Sequence, residues 1–152
     1  MTTFQIRKIL FPTDFSSCSD AALDVLVALA NQMSASITAI HVVHVPEQFG
    51  PYEAWVYDRL EVEKAIVKET QAHLEKYVGE KIPKSIPTDW RVLTGPPDLE
   101  IAGFAKSGGY DLVVMGTHGR GGVSHILIGS VAEKVVRRCP CPVLTVRPPP
   151  EK

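Results

Sequence analysis

Two kinds of segment alternate along this 152-residue chain, and the alternation restricts its fold more than any other feature. Short apolar runs of strand length, several of them rich in β-branched residues, come between stretches whose apolar residues recur at helical spacing. The strand-like runs are 6–11, 36–45, 89–93, 111–115 and 142–146. Strands that alternate with helices in this way form a parallel sheet covered by helices.

The helical stretches fill the intervals between these runs. The first carries Ala22, Leu26, Leu29 and Met33, and a long second helix is expected over about 59–78, ending at Gly79 as a glycine C-cap. Right-handed crossovers then leave only a few doubly wound strand orders. We therefore predict one α/β domain over residues 1–152, Rossmann-like, with a five-stranded parallel sheet and helices on both of its faces.

The composition excludes several classes of protein. Apolar residues make up 45% of the chain and charged residues 22%, which is ordinary for a folded domain. Sixteen Lys and Arg nearly cancel seventeen Asp and Glu, so the basic surplus of a nucleic-acid-binding protein is absent. No apolar run approaches the ~20 residues that span a bilayer, and the first residues lack a signal-peptide pattern. We expect a cytoplasmic protein with no nucleic-acid or membrane partner.

A glycine-rich loop over 116–129 follows the fourth strand-like run and holds five of the eleven glycines. Glycine lets the backbone approach an anion closely, and successive N–H groups with a following helix N-terminus can bind phosphate. His118 and Arg120 add further donors. In a doubly wound sheet this loop can face Pro12-Thr13-Asp14, the turn after the first strand, across the point where the strand order reverses. The two loops therefore predict a phosphate-binding site.

This loop does not match the common nucleotide motifs. Gly122 stands where a P-loop has its lysine, and Ser124 stands where the third glycine of a dinucleotide-binding motif belongs. Neither a P-loop NTPase nor a dinucleotide-dependent dehydrogenase is indicated.

One spacing in the loop carries a family resemblance. Gly116-x-x-Gly119, nine further residues and then Gly129-Ser130 resemble the motif of the universal stress protein family (UspA-like), in its ATP-binding branch. Further motifs of that family occur in the family's order along nearly the whole chain. They are Lys8-Ile9-Leu10-Phe11-Pro12-Thr13-Asp14-Phe15-Ser16, His41-Val42, Gly95-x-Pro97-x-x-x-Ile101, Asp111-Leu112-Val113-Val114-Met115-Gly116 and Cys141-Pro142-Val143-Leu144-Thr145-Val146.

The resemblance implies the strand order 3-2-1-4-5, an ATP site and a homodimer. It places Pro12, Thr13 and Asp14 near adenine and ribose, and Val42 against the adenine through its backbone. The residues implied around the ribose and phosphates are Met115, Gly116, Gly119, Gly129, Ser130 and Val131. Asp14 could also help to hold Mg²⁺, directly or through water. The apolar last strand, Val143 to Val146, is expected at a sheet edge, where it would form the homodimer contact.

Several of these residues have a structural alternative. Ser130-x-x-Glu133 fits a capping box, and Asp14 could simply cap the first helix. His118 could contact phosphate or only be exposed, whereas His41 and His44 are expected to be core or strand-end histidines. The aromatic segment 46–58 could cover the nucleotide, cover a subunit contact or pack on the long helix.

The same residues suggest how the nucleotide would be used. The motifs contain no evident general base and no acceptor site for phosphoryl transfer. We therefore expect a nucleotide-dependent switch or sensor in the stress response rather than a dedicated enzyme. The alternative is a slow ATPase that yields ADP or AMP.

Overall fold

Strands and helices alternate from one end of the chain to the other in the computed structural model, which describes residues 3–45, 59–119 and 128–149. The elements are β1 (Lys8–Pro12), α1 (Ser17–Met33), β2 (Ser36–Val43), α2 (Arg59–Lys81), β3 (Thr88–Thr94), α3 (Pro97–Gly108), β4 (Leu112–Gly116), α4 (Ser130–Arg138) and β5 (Val143–Val146). Residues 46–58 lie outside the described residues. The three roles considered for this segment therefore stay predictions.

The strands form one parallel sheet in the order β3-β2-β1-β4-β5. In the register of the sheet, Ile9 of β1 pairs with Ile37 of β2 and with Leu112 of β4. The doubly wound fold and the strand order 3-2-1-4-5 are therefore confirmed. β1 is the central strand, and the order reverses between β1 and β4, because β2 and β3 extend to one side and β4 and β5 to the other.

The central strand is buried on both faces, which explains its continuous apolar sequence. Ile9 and Phe11 pack into a core with α1 and α2, whereas Leu10 points to the opposite core with α3 and α4. β4 divides in the same way, with Val114 on the first face and Val113 on the second. The helices thus cover both faces of the sheet in pairs, as the sequence predicts.

The end of α2 differs from the sequence prediction. The helix continues through Gly79 to Lys81, so the expected C-cap at Gly79 is wrong. Val78 and Ile82 are both buried in the first core, and the Ile82 amide donates to the Val78 carbonyl at 3.0 Å. Burial of these side chains outweighs the cost of about 1 kcal/mol for a glycine within a helix.

No helix in the described part of the chain is both long enough and apolar enough to cross a membrane.

Removal of one core side chain tests the packing on the α1 face. Leu26 is fully buried, and Leu26→Ala is expected to lower the free energy of unfolding by about 3 kcal/mol because it removes apolar contacts and leaves a cavity. Urea denaturation measures the loss. Leu60→Ala is the matched control, since Leu60 is 64% exposed on α2 and should change stability by less than about 0.5 kcal/mol. Equal losses in the two variants would contradict this packing.

Candidate functional site

A cavity of about 450 Å³ opens at the carboxyl ends of β1 and β4, where the strand order reverses. Its volume falls within the usual range of small-molecule sites, and the switch point is the ordinary ligand position in a doubly wound sheet. The residues that line it are Pro12, Thr13, Asp14, Ser19, Ile40, His41, Val42, Pro97, Ile101, Met115, Gly116, Thr117, His118, Gly119, Gly129, Ser130, Val131 and Ala132.

The cavity brings together the site residues that the sequence predicts from three distant segments. Pro12 ends β1 and Thr13 and Asp14 follow it. Val42 comes from β2, and the remaining residues lie at the two ends of the glycine loop. Arg120 is the exception, because residues 120–127 lie outside the described part of the chain. Their shared position in one cavity is a geometric finding, and their contacts with a nucleotide stay a prediction.

The turn after β1 is held by side-chain hydrogen bonds. Ser16 is the N-cap of α1 and its side chain accepts from the Ser19 amide, so Asp14 is not the cap residue. The Asp14 carboxylate supports the cap instead. Its Oδ1 accepts from the Ser16 amide at 3.0 Å, the Ser16 hydroxyl at 2.5 Å and the Ser19 hydroxyl at 2.7 Å.

These bonds stabilise the ionised form of Asp14. Partial burial raises the pKa of this carboxyl, but the hydrogen bonds from Ser16 and Ser19 outweigh burial and hold the pKa below its ordinary value. The side chain is therefore ionised at neutral pH. Its second oxygen, Oδ2, faces the glycine loop, because a Cβ added to Gly119 would lie 3.0 Å from it. A negative charge thus stands where the two loops of the cavity meet.

The two ends of the glycine loop are joined to each other. The Gly129 amide donates to the Thr117 carbonyl at 2.6 Å, and a Cβ at Gly129 would lie 2.9 Å from that oxygen. Gly116 is equally confined, since a Cβ there would lie 2.9 Å from the Cys18 sulfur and 3.0 Å from its backbone. These glycines permit a close backbone approach that a side chain would prevent.

The amino end of α4 forms one wall of the cavity. Gly129 is the N-cap and Ser130 is the first helical residue, so the alternative of a capping box at Ser130 is wrong. Glu133 donates its amide to the Gly129 carbonyl, and its side chain pairs with Arg137 one turn along the exposed face. Ser130 and Val131 therefore line the cavity in the first turn, where backbone amides and the positive end of the helix dipole favour an anion.

The histidines divide between the cavity and the surface. His118 is half-buried in the cavity, with Nδ1 2.9 Å from the Thr117 hydroxyl oxygen. His41 also lines the cavity, a position that its expected role as a core or strand-end histidine did not include. The one sequence signal was that His41 directly precedes Val42, which the family resemblance places against the adenine, and this adjacency does not tell where the imidazole lies. His44 is exposed and is not part of the cavity lining.

The described residues contain no cluster of side chains that could bind a metal ion without a ligand. Within residues 3–45, 59–119 and 128–149, no group of three or more His, Cys, Asp or Glu side chains could hold a metal ion. Burial and, to a smaller extent, the nearby Cys141 raise the pKa of the Cys139 thiol to about 11, so this thiol is protonated at neutral pH. A single carboxylate, Asp14, remains as the expected magnesium ligand, which fits an ion that binds together with a phosphate group.

Comparison with known proteins gives a consistent family likeness. A sequence model of the Universal stress protein family matches residues 5–147. Universal stress protein MJ0531 of Methanocaldococcus jannaschii is 36% identical over 151 residues, covering 94% of this chain and 83% of that protein. Universal stress protein YxiE of Bacillus subtilis is 31% identical, covering 93% and 99%. The solved structure of MJ0577, also from M. jannaschii, has a TM-score of 0.81 at 27% identity, covering 97% and 99%.

The charge of Asp14 predicts a specific response to acid. A carboxyl whose pKa is lowered by folding stabilises the folded state above its unfolded pKa, and this contribution is lost as pH falls through the lower folded value. Asp14→Asn is therefore expected to be less stable than the wild type at pH 7 and to lose less stability between pH 7 and about pH 3. Urea denaturation at both pH values measures the difference.

Asp24→Asn is the control for this comparison, because Asp24 is exposed on α1, the helix that follows Asp14. It should retain the acid response of the wild type. If Asp14→Asn did the same, the hydrogen bonds of Asp14 would not contribute to folding as described.

Proposed function

The chain belongs to the universal stress protein family, and from this premise we propose that it binds ATP and acts as a nucleotide-dependent switch or sensor in the stress response. The observation that carries the proposal is the cavity at the strand-order reversal. It combines an apolar region, two confined glycines and a helix N-terminus. These are the three chemical features that a base, a close-lying phosphate chain and its negative charge require.

Relatives with the same fold give further support. One universal stress protein has been solved in complex with cAMP, at a TM-score of 0.59 and 22% identity. Another, from Archaeoglobus fulgidus, has been solved in complex with dAMP, at a TM-score of 0.55 and 15% identity. The fold can therefore hold an adenine nucleotide, and the case for this chain depends on its own residues.

The apolar side of the cavity is the proposed base subsite. Ile40, Val42 and Met115 supply apolar surface there, with Pro12 and Ile101 beside them. A planar base buries its faces against such surface, while backbone groups near Val42 are left to recognise its edge. Thr13 and Asp14 follow Pro12 directly, which brings them toward the ribose.

The phosphate subsite is proposed at the glycine-loop ends and the first turn of α4. Gly116, Gly119, Gly129 and Ser130 leave room for the phosphate chain, and His118 supplies a side-chain donor, with Arg120 as a further predicted one. Asp14 is ionised and faces Gly119, so it would repel a bare polyphosphate. A Mg²⁺ ion bound with the nucleotide removes this conflict, and Asp14 would hold it directly or through water.

The protonation state of Asp14 favours a switch over an efficient enzyme. A general base is most effective when its pKa lies near the operating pH, whereas the hydrogen bonds from Ser16 and Ser19 lower that of Asp14. Among the described residues that line the cavity, Asp14 is the sole carboxylate. ATP is therefore expected to remain largely intact, and a slow ATPase that yields ADP or AMP is the alternative outcome.

The edge strand β5 is the proposed homodimer contact. Leu144 of β5 is 36% exposed, which leaves apolar surface on this edge strand, and α4, which contacts β5, exposes 48% of Val136. The same strand reaches the nucleotide site, because the Thr117 amide donates to the Val146 carbonyl at 3.0 Å. A conformational change at the glycine loop would therefore alter the strand that forms the proposed dimer contact. A nucleotide-dependent switch requires such a link.

Calorimetric titration with ATP, ADP and AMP, with and without Mg²⁺, tests nucleotide binding. We expect micromolar ATP affinity, roughly −8 kcal/mol, that is weaker without Mg²⁺. Gly119→Val should abolish binding almost completely, because its side chain would lie against Asp14 in the phosphate path. Gly103→Val is the matched control, since Gly103 lies on α3 with no atom within 4 Å of an added Cβ. Unchanged affinity in Gly119→Val would refute the site assignment.

The products of the same incubation separate the switch from the enzyme. Intact ATP recovered after prolonged contact with the protein supports the switch. Turnover to ADP or AMP that disappears in Gly129→Val would instead support the ATPase, because a side chain at Gly129 collides with the Thr117 carbonyl.

Sedimentation measures the proposed dimer. The wild type is expected to be dimeric at micromolar concentration, and Leu144→Glu should weaken the dimer by more than about tenfold because it places a charge in an apolar contact. Leu60→Glu is the control on exposed α2 surface and should leave the dimer intact. A monomeric wild type at that concentration would contradict the assignment of β5.

A further inference from the structure

The turn between β1 and α1 contains a conformation that needs external support. Phe15 has φ +63°, in the left-handed region that bulky side chains rarely adopt. Its ring stacks between two imidazoles, with the centroid of His41 at 4.8 Å and that of His73 at 4.1 Å, and meets the Tyr77 ring edge-on at 5.3 Å. Rings from β2 and α2 therefore hold in place the residue that follows Asp14.

His41 also bonds the turn directly. Its Nδ1 lies 2.7 Å from the Thr13 carbonyl oxygen. Because a carbonyl oxygen can only accept, Nδ1 must carry the proton and donate it. Thr13 is 5% exposed, so water has little access to this residue if the imidazole donor is removed. The Thr13 amide donates to the Ile40 carbonyl oxygen at 2.9 Å. Two consecutive residues of β2, Ile40 and His41, therefore bond the amide and the carbonyl of Thr13.

We infer that His41 is a positioning residue of the nucleotide site: through its Nδ1–H bond to Thr13 it fixes the turn that directs Asp14 at the glycine loop. This inference deepens the proposed function and rests on it. Asp14 follows Thr13, and its Oδ1 bonds to Ser16 and Ser19 leave Oδ2 facing Gly119. Release of the Thr13 carbonyl would let the turn rotate and would move the carboxylate away from the ion and the phosphates it is proposed to serve.

Two substitutions separate the effect of the His41 hydrogen-bond donor from the effect of its ring. His41→Phe keeps a ring over Phe15 and lacks the donor, whereas His41→Asn lacks the ring and keeps an N–H on the atom equivalent to Nδ1. His44→Phe is the matched control, because His44 is exposed, does not line the cavity and undergoes the same chemical change. His41→Leu replaces His41→Phe in the comparison if the Phe variant does not fold.

Hydrogen exchange of the turn amides gives a readout that is independent of nucleotide. The Phe15 amide donates to the Thr13 hydroxyl oxygen and the Ser16 amide to Asp14 Oδ1, so both report the turn geometry. In His41→Phe we expect both amides to exchange about tenfold faster than in the wild type, because the turn opens more often. In His44→Phe they should exchange at the wild-type rate to within about twofold. In His41→Asn, which keeps the donor and loses one of the rings that contact Phe15, the increase should be clearly smaller than in His41→Phe.

Calorimetric titration with Mg·ATP completes the test. We expect about tenfold weaker binding in His41→Phe, the size of one lost buried hydrogen bond, and affinity within about twofold of the wild type in His44→Phe. The loss in His41→Asn, which keeps the donor, should be clearly smaller than in His41→Phe. Wild-type exchange and affinity in His41→Phe would overturn the inference, and so would an Asn variant as defective as the Phe variant. A wild type that binds no nucleotide would refute the proposed function, while the exchange rates still decide the role of His41 in the turn.

Discussion

The reversal of strand order between β1 and β4 determines where every part of the candidate site lies. The chain leaves β1 toward α1 on one face of the sheet and leaves β4 toward α4 on the other face. The two connections therefore diverge from adjacent strand ends, and among the described residues a cavity lies between them. The cavity is a consequence of this topology, and the residues at the strand ends face it whatever their chemistry.

Backbone groups give a chain of nearly neutral charge a means of holding an anion. Sixteen basic and seventeen acidic residues leave no general attraction for a polyphosphate. The amides at the start of α4 concentrate positive partial charge at one point without any net charge. Asp14 adds a negative charge beside them, and hydrogen bonds from two serines lower its pKa and so stabilise the ionised form. Such an arrangement favours an anion accompanied by a cation over an anion alone.

The sequence predicts those features that depend on local pattern. Continuous apolar strands such as β4 indicate burial on both faces, and glycines at 116, 119 and 129 indicate close backbone approach, which the structure places at the junction of two loops. It fails where tertiary contacts decide between local alternatives. Gly79 stays helical because Val78 and Ile82 are buried on either side of it. Ser130 fits a capping box in sequence, but the bond between Gly129 and Thr117 makes Gly129 the N-cap.

His41 illustrates the limit most clearly, because its position depends on two strands that are distant in sequence. The periodicity of β2 indicates burial for alternate side chains but not which end of the strand adjoins a cavity. Only the pairing of β1 with β2, in which Pro12 lies opposite Ile40, brings the imidazole level with Thr13. The left-handed Phe15 then follows from that contact and not from its own preference, since the stacked rings of His41 and His73 compensate a conformation that phenylalanine alone disfavours. A strained residue beside a cavity thus marks the place where the sheet, and not the local sequence, sets the shape of the site.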